Sequence, residues 1–177
     1  VQERAQEFSA RSSRPLDAEG INLTPLKRKI EGERIIYEHL TVEYKRESGI
    51  VNFTVHVPAE ELPIDTDSIQ AAGAKYWPLA MARELDDAIM HLSFNELELG
   101  IWVFHTQGNS DQVAAVDQTL IKHQDHWLVR EIILNLKRVF KRLDLASRSL
   151  VTLIEPGSCF TGTLLELALA SDRSYML

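Results

Sequence analysis

The stretch Leu150–Leu177, LVTLIEPGSCFTGTLLELALASDRSYML, decides the fold. Leu150 to Ile154 is a short, mostly apolar run that ends at Glu155-Pro156-Gly157-Ser158. Such a run closed by turn residues reads as a buried strand. Gly162 then opens a helix through Leu164, Leu165, Leu167, Ala168 and Leu169, and Arg173 to Leu177 starts another strand. Strands alternating with helices imply parallel strands joined by crossovers. Backbone N–H groups left free at a helix start can stabilise a developing oxyanion. The plainer reading is a strand-to-helix turn that holds no ligand.

The alternation continues towards the N-terminus. Ile101-Trp102-Val103-Phe104 follows Gly100 and reads as a strand covered on both faces. Thr106 to Ser110 is its loop, with Ser110 or Asp111 as cap of a helix carrying Val113, Val116, Leu120 and Ile121. Asp125 is the expected cap of the next helix, whose stripe is Val129, Ile132, Ile133, Leu136, Val139, Phe140 and Leu143. Before these, Pro78 suits the first turn of a helix bearing Met81, Leu85, Ala88, Ile89 and Leu92. Leu40, Val42 and Tyr44, then Val51, Phe53, Val55 and Val57, alternate with polar residues on either side of Glu47-Ser48-Gly49, which marks a β-hairpin. Ala59 to Trp77 reads as a long connection, and Pro15 to Gly32 as a linker in which Lys27-Arg28-Lys29 is a solvated charge run. Gln2 to Ala10 looks like the end of a helix, followed by the breakers Ser12-Ser13-Arg14-Pro15. The expected organisation is the end of a preceding domain and a linker over residues 1–34, then a partial α/β domain over residues 35–177. The first residue is Val1 and the last three are strand-like, so the chain reads as a piece of a longer polypeptide.

Composition narrows the function. The 177 residues carry a formal charge of −7, which argues against a general nucleic-acid binder. No apolar run approaches the ~18–20 residues that a membrane helix needs. The single cysteine, Cys159, cannot form an internal disulfide, and with no signal peptide in view the expected compartment is the cytoplasm.

ELALASD at Glu166–Asp172 resembles the helix after the oxyanion loop of enoyl-CoA hydratases and other crotonases. The hairpin resembles the opening strands of that family, and Ile101–Thr106 with Gly108 resembles its first oxyanion-loop strand. Longer stretches are similar to the second crotonase-like half of the benzoyl-CoA-dihydrodiol lyases: AAGAKYWPLAMARELDDAI at Ala71–Ile89, NELELGIWVFHTQG at Asn95–Gly108, HQDHWLVRE at His123–Glu131 and SRSLVTLIEPGSCFTGTLLELALASDRSYM at Ser147–Met176. The fold this implies is α/β and crotonase-like, the ClpP/crotonase spiral of strands and helices, incomplete at the C-terminus. The activity it implies is a carbon-carbon lyase reaction of aerobic benzoate degradation: ring opening of 2,3-epoxybenzoyl-CoA with formate release. Glutamates would serve as general acid and base, and two backbone N–H groups would polarise the thioester carbonyl. The implied partners are an acyl-CoA thioester, the first crotonase-like half of the same polypeptide, and a second copy in a dimer. No separate cofactor is implied, since coenzyme A is part of the substrate.

By position, the resemblance implies Glu166 as the catalytic carboxylate and Gly108 and Gly162 as the oxyanion or thioester-binding loops, with no metal ligands. The plainer reading of Glu166 is an acidic residue placed in the first turn by the helix dipole. The chain also departs from the family. The usual triple glycine reads Gly162-Thr163-Leu164-Leu165, and Gly108-Asn109-Ser110 lacks the Ala-Gly-Ala-Asp type of loop. Two alternatives follow: a non-catalytic structural or assembly half, and a generic enoyl-CoA hydratase or isomerase. Backbone access at Gly162 would favour an enzyme; Leu164 and Leu165 filling the thioester pocket would favour an assembly half.

Other chemistry-bearing residues have plain readings beside the functional ones. Glu155 is a second candidate carboxylate, or a loop residue bonded to turn amides. Cys159 has no activating neighbour in sequence and reads as a buried filler. His123 and His126 are three apart but lack a third zinc ligand. Tyr76-Trp77 lines an acyl pocket or anchors packing. The cations from Lys137 to Arg142 meet coenzyme A phosphates or form a solvated helix end.

Overall fold

The computed structural model describes residues 1–12 and 19–177. Among them, seven strands form one sheet in chain order: β1 (Lys29–Glu31), β2 (Arg34–Ile36), β3 (Leu40–Lys45), β4 (Ile50–His56), β5 (Ile101–Gln107), β6 (Ser149–Ile154) and β7 (Arg173–Met176). β1 to β4 pair antiparallel, and β4 to β7 pair parallel. The helices are α1 (Gln2–Ala10), α2 (Thr66–Ala72), α3 (Trp77–Asn95), α4 (Ser110–Lys122), α5 (Trp127–Asp144) and α6 (Leu165–Leu169).

The hairpin forms as its alternation predicts. Leu40, Val42, Tyr44, Val51, Phe53 and Val55 are all buried, and Val42 lies opposite Phe53. This register places the inward residues of β4 beside Trp102 and Phe104 of β5. Phe53 stacks on Phe104 with ring centroids 5.0 Å apart and meets Trp102 at 5.2 Å. The fully buried Trp102 indole N–H donates to the Leu99 carbonyl at 3.1 Å, so its polar edge is satisfied. Each such side chain contributes ~1.5–3 kcal/mol by leaving water. α3 packs against β3 and α5 and covers this inner face. α5 presents Leu128, Val129, Ile132, Leu136, Val139 and Leu143 inward, as its stripe predicts.

Several local expectations are corrected. β1 extends the sheet to Lys29–Glu31, inside the stretch expected to be linker. The pairing of Lys29 with Ile36 and of Glu31 with Arg34 supplies the reason. Residues 13–18, where most of the breaker cluster and the start of that linker fall, lie outside the described residues. The connection from Ala59 to Trp77 contains α2, which Asp65 caps by accepting the Ser68 N–H at 2.9 Å. Asn109, rather than Ser110 or Asp111, caps α4, accepting the Asp111 N–H at 2.8 Å. His126, not Asp125, holds the cap position of α5, and its side chain makes no capping bond. β5 is covered on both faces at Trp102, Val103 and Phe104, as expected, while Ile101 at its start is 39% exposed and His105 beyond the apolar run is half-buried.

Candidate functional site

The two expected oxyanion loops lie where β5 and β6 hand over to helices. Gly108 follows β5 with φ +143°, and an added Cβ there would come within 2.5 Å of the Val57 side chain. Glycine is therefore required for close approach to the end of β4. Its N–H points to the Gly157 carbonyl at 3.4 Å. Thr106 joins the same two loops, its buried hydroxyl accepting the Cys159 N–H at 2.8 Å. Cys159 is fully buried, and burial raises its thiol pKa, which suits an inert filler rather than a nucleophile.

Gly162 adopts φ +50° at the start of a single 3-10 turn, Gly162–Leu164, that leads into α6. The space its side chain would fill is taken by Asp117 of α4, whose Oδ2 lies 1.7 Å from the ideal Cβ position. That carboxylate accepts the Thr163 N–H at 2.6 Å, and its other oxygen accepts the Thr163 hydroxyl. Both loop amides thus face oxygens of the protein itself. Leu164 is fully buried beneath the turn, whereas Leu165 is 40% exposed, so only one of the two leucines fills the interior. Asp117 was not singled out from the sequence, because it lies 46 residues from Thr163 and no local pattern joins the two.

A cleft of about 970 Å³ opens beside this turn, between α4, α5 and α6. Leu120, Ile133, Leu136 and Phe140 form its apolar wall, while Lys137, Lys141 and Glu166 stand at its polar positions. Glu166 is exposed. Lys137 and Lys141 thus border the cleft, but Arg142 turns away, paired with Asp86 at 2.6 Å.

The Asp of the ELALASD motif has a structural task. Asp172 accepts the Leu150 N–H at 2.8 Å and donates its own N–H to the Leu150 carbonyl, fixing the start of β6 beside β7. Glu155 is bonded into its turn, its carbonyl accepting the Ser158 N–H at 2.9 Å, but its carboxylate reaches away from it. Its carboxylate lies 3.2 Å from His105 Nδ1, and His105 Nε2 lies 3.2 Å from Asn52 Oδ1, a line of polar groups from the end of β6 across β5 to β4. Tyr76 is 1% exposed, and its hydroxyl has no hydrogen-bond partner among the described residues. Burial, then the nearby Asp117 carboxylate, push its pKa up to about 12. Trp77, beside it, donates to the His56 carbonyl at 3.1 Å and anchors α3 on the sheet. His123 and His126 belong to no cluster of three or more metal-ligating side chains among the described residues. Among the described residues, no helix is long and apolar enough to cross a membrane.

No family model matches the chain. Over all 177 residues it is 46% identical to benzoyl-CoA-dihydrodiol lyase from Aromatoleum evansii, and it spans 32% of that protein's length. Its fold is similar to that of an enoyl-CoA hydratase from Geobacillus kaustophilus HTA426, with a TM-score of 0.50 over 86% of this chain and 48% of that one, at 13% identity. The chain is thus a homologue of about a third of benzoyl-CoA-dihydrodiol lyase, built as a mixed α/β sheet of the crotonase fold.

Proposed function

We propose that this chain is the acyl-CoA-binding part of a benzoyl-CoA-dihydrodiol lyase, whose carboxylate chemistry lies elsewhere in a longer polypeptide. The whole protein would open a ring-oxidised benzoyl-CoA thioester with loss of formate. The cleft beside the Gly162–Glu166 turn carries this reading: its apolar wall suits an acyl or pantetheine chain, and Lys137 and Lys141 suit an anionic phosphate. Glu166 is exposed to solvent rather than enclosed in the cleft, so it takes no general-base role in this proposal. The second reading, an assembly half that does no chemistry, draws support from Asp117 closing the Thr163 turn and from Leu164 beneath it.

Two variants of the intact polypeptide test the assignment. Glu166→Gln should leave turnover nearly unchanged; a loss of ~10²–10⁴-fold would make Glu166 the base. Lys137→Glu with Lys141→Glu should weaken benzoyl-CoA binding. Unchanged affinity would leave the cleft without a ligand and favour the assembly half.

A further inference from the structure

The crossovers β4–α3–β5, β5–α4–α5–β6 and β6–α6–β7 each step one strand in the same direction across the sheet. Crossovers of one hand place their helices on one face. That face carries Phe53, Trp102, Phe104 and Leu150, all part of the buried core. The opposite face is different. Strand pairing sets Ile50 beside Ile101, Val103 beside Val151, and Leu153 beside Tyr175. Val103 is buried, yet none of these six apolar side chains belongs to the core, and Ile101 and Tyr175 are exposed. The line from Glu155 through His105 to Asn52 borders the patch. Both ring nitrogens of His105 are paired within that line, so a cover over it leaves neither one unsatisfied.

Parallel sheets occur almost only with both faces covered. α1 does not supply the second cover, since none of its residues is buried. Relatives carry the chain that could. About two thirds of the lyase from Aromatoleum evansii lies outside the matched part, and so does more than half of the hydratase that shares the fold. We propose that the face of Ile50, Ile101, Val103, Val151, Leu153 and Tyr175 is the surface on which the rest of a longer polypeptide packs, with an apolar layer against these six side chains. The proposal rests on the reading of this chain as part of a lyase and adds where the parts join. A cover carried on the same polypeptide is present at every protein concentration, which separates it from a second copy.

The test reads solvent access at Ile101 in the intact polypeptide. Leu134, exposed on α5, is the reference. A covered thiol waits for local opening, so Ile101→Cys should react with a thiol reagent roughly tenfold or more slowly than Leu134→Cys, at every protein concentration. Equal rates leave the face bare and overturn the proposal. Protection that disappears on dilution assigns the cover to a second copy and overturns it as well. Ile101→Lys buries an unpaired charge under the cover and should lower the melting temperature by roughly 5–10 °C, whereas Leu134→Lys should leave it within about 2 °C. Equal shifts count against the cover, and should Ile101→Lys fail to fold, the labelling rates decide. The cleft lies on the helix side of the sheet, so Ile101→Cys should bind benzoyl-CoA as the parent does. A parent that binds no benzoyl-CoA sinks the acyl-CoA assignment alone, because the labelling needs no ligand.

Discussion

The Glu84 carboxylate accepts the backbone N–H of His39 at 2.8 Å from a position only 5% exposed. Glu84 stands on α3 among apolar neighbours, and it pins the turn between β2 and β3 to that helix. Next to it, Asp87 accepts the Tyr37 hydroxyl at 2.7 Å and pairs with Arg28 at 3.0 Å. Two carboxylates of one helix, one buried and one partly exposed, thereby hold the N-terminal strands of the sheet.

This placement predicts a pH dependence of stability. Burial pushes the Glu84 carboxyl up from 4.5 to about 7, although the His39 and Glu38 N–H groups favour its ionised form. The folded state therefore holds this proton more tightly than the unfolded chain. The resulting stability is fully present below about 4.5 and is lost as pH rises through about 7. A shift of this size corresponds to on the order of 3 kcal/mol. Glu84→Gln keeps a carbonyl to accept the His39 N–H and removes the ionisation. Its melting temperature relative to the parent should climb between pH 5 and pH 9. A difference that stays flat over that range would contradict the assignment.

A second prediction concerns Gly162. Alanine there meets two separate penalties: a positive φ, worth ~1 kcal/mol for a residue with a Cβ, and collision with Asp117. Gly162→Ala should destabilise the parent more than it destabilises Asp117→Ala, because only the collision disappears when Asp117 is shortened. The coupling expected for residues in such contact is ~0.5–3 kcal/mol, read from denaturant melts of the four proteins. A coupling of zero would mean that Asp117 does not occupy the Gly162 space in solution.

How much the sequence discloses depends on the range of each interaction. The hairpin is legible because Leu40–Val55 buries one face only, so its period of two survives in the residue order. α5 is legible for the same reason at a period of 3.6. β5 runs on through His105, Thr106 and Gln107, whose polarity hides the strand that parallel pairing to β4 maintains. β1 escapes notice because three exposed residues carry no pattern, and only pairing with β2 makes them a strand. The motif Gly162 to Asp172 could be placed at a strand-to-helix turn from sequence. Its occupancy by Asp117, and the line from Glu155 through His105 to Asn52, join residues 46 to 53 positions apart, which local pattern does not record.

The two sheet edges differ in a way that predicts association. β1 is three residues long and carries Lys29 and Glu31, the charged, short form that discourages pairing. β7 carries only Arg173 as a charge, and Tyr175 and Met176 are 47% and 79% exposed. Its inner side pairs with β6 through Arg173 to Met176, while its other side has no strand beside it among the described residues. An open parallel edge with apolar side chains is a template for a further strand. The 177-residue chain by itself should therefore associate as its concentration rises, and its melting temperature should rise with it. Met176→Lys places a charge on that edge and should shift the chain towards monomer, whereas a charge added at Ile30 of β1 should not. Sedimentation velocity over a hundredfold concentration range makes the comparison. A parent chain that stays monomeric throughout, with one concentration-independent transition, would show that β7 closes the sheet without help.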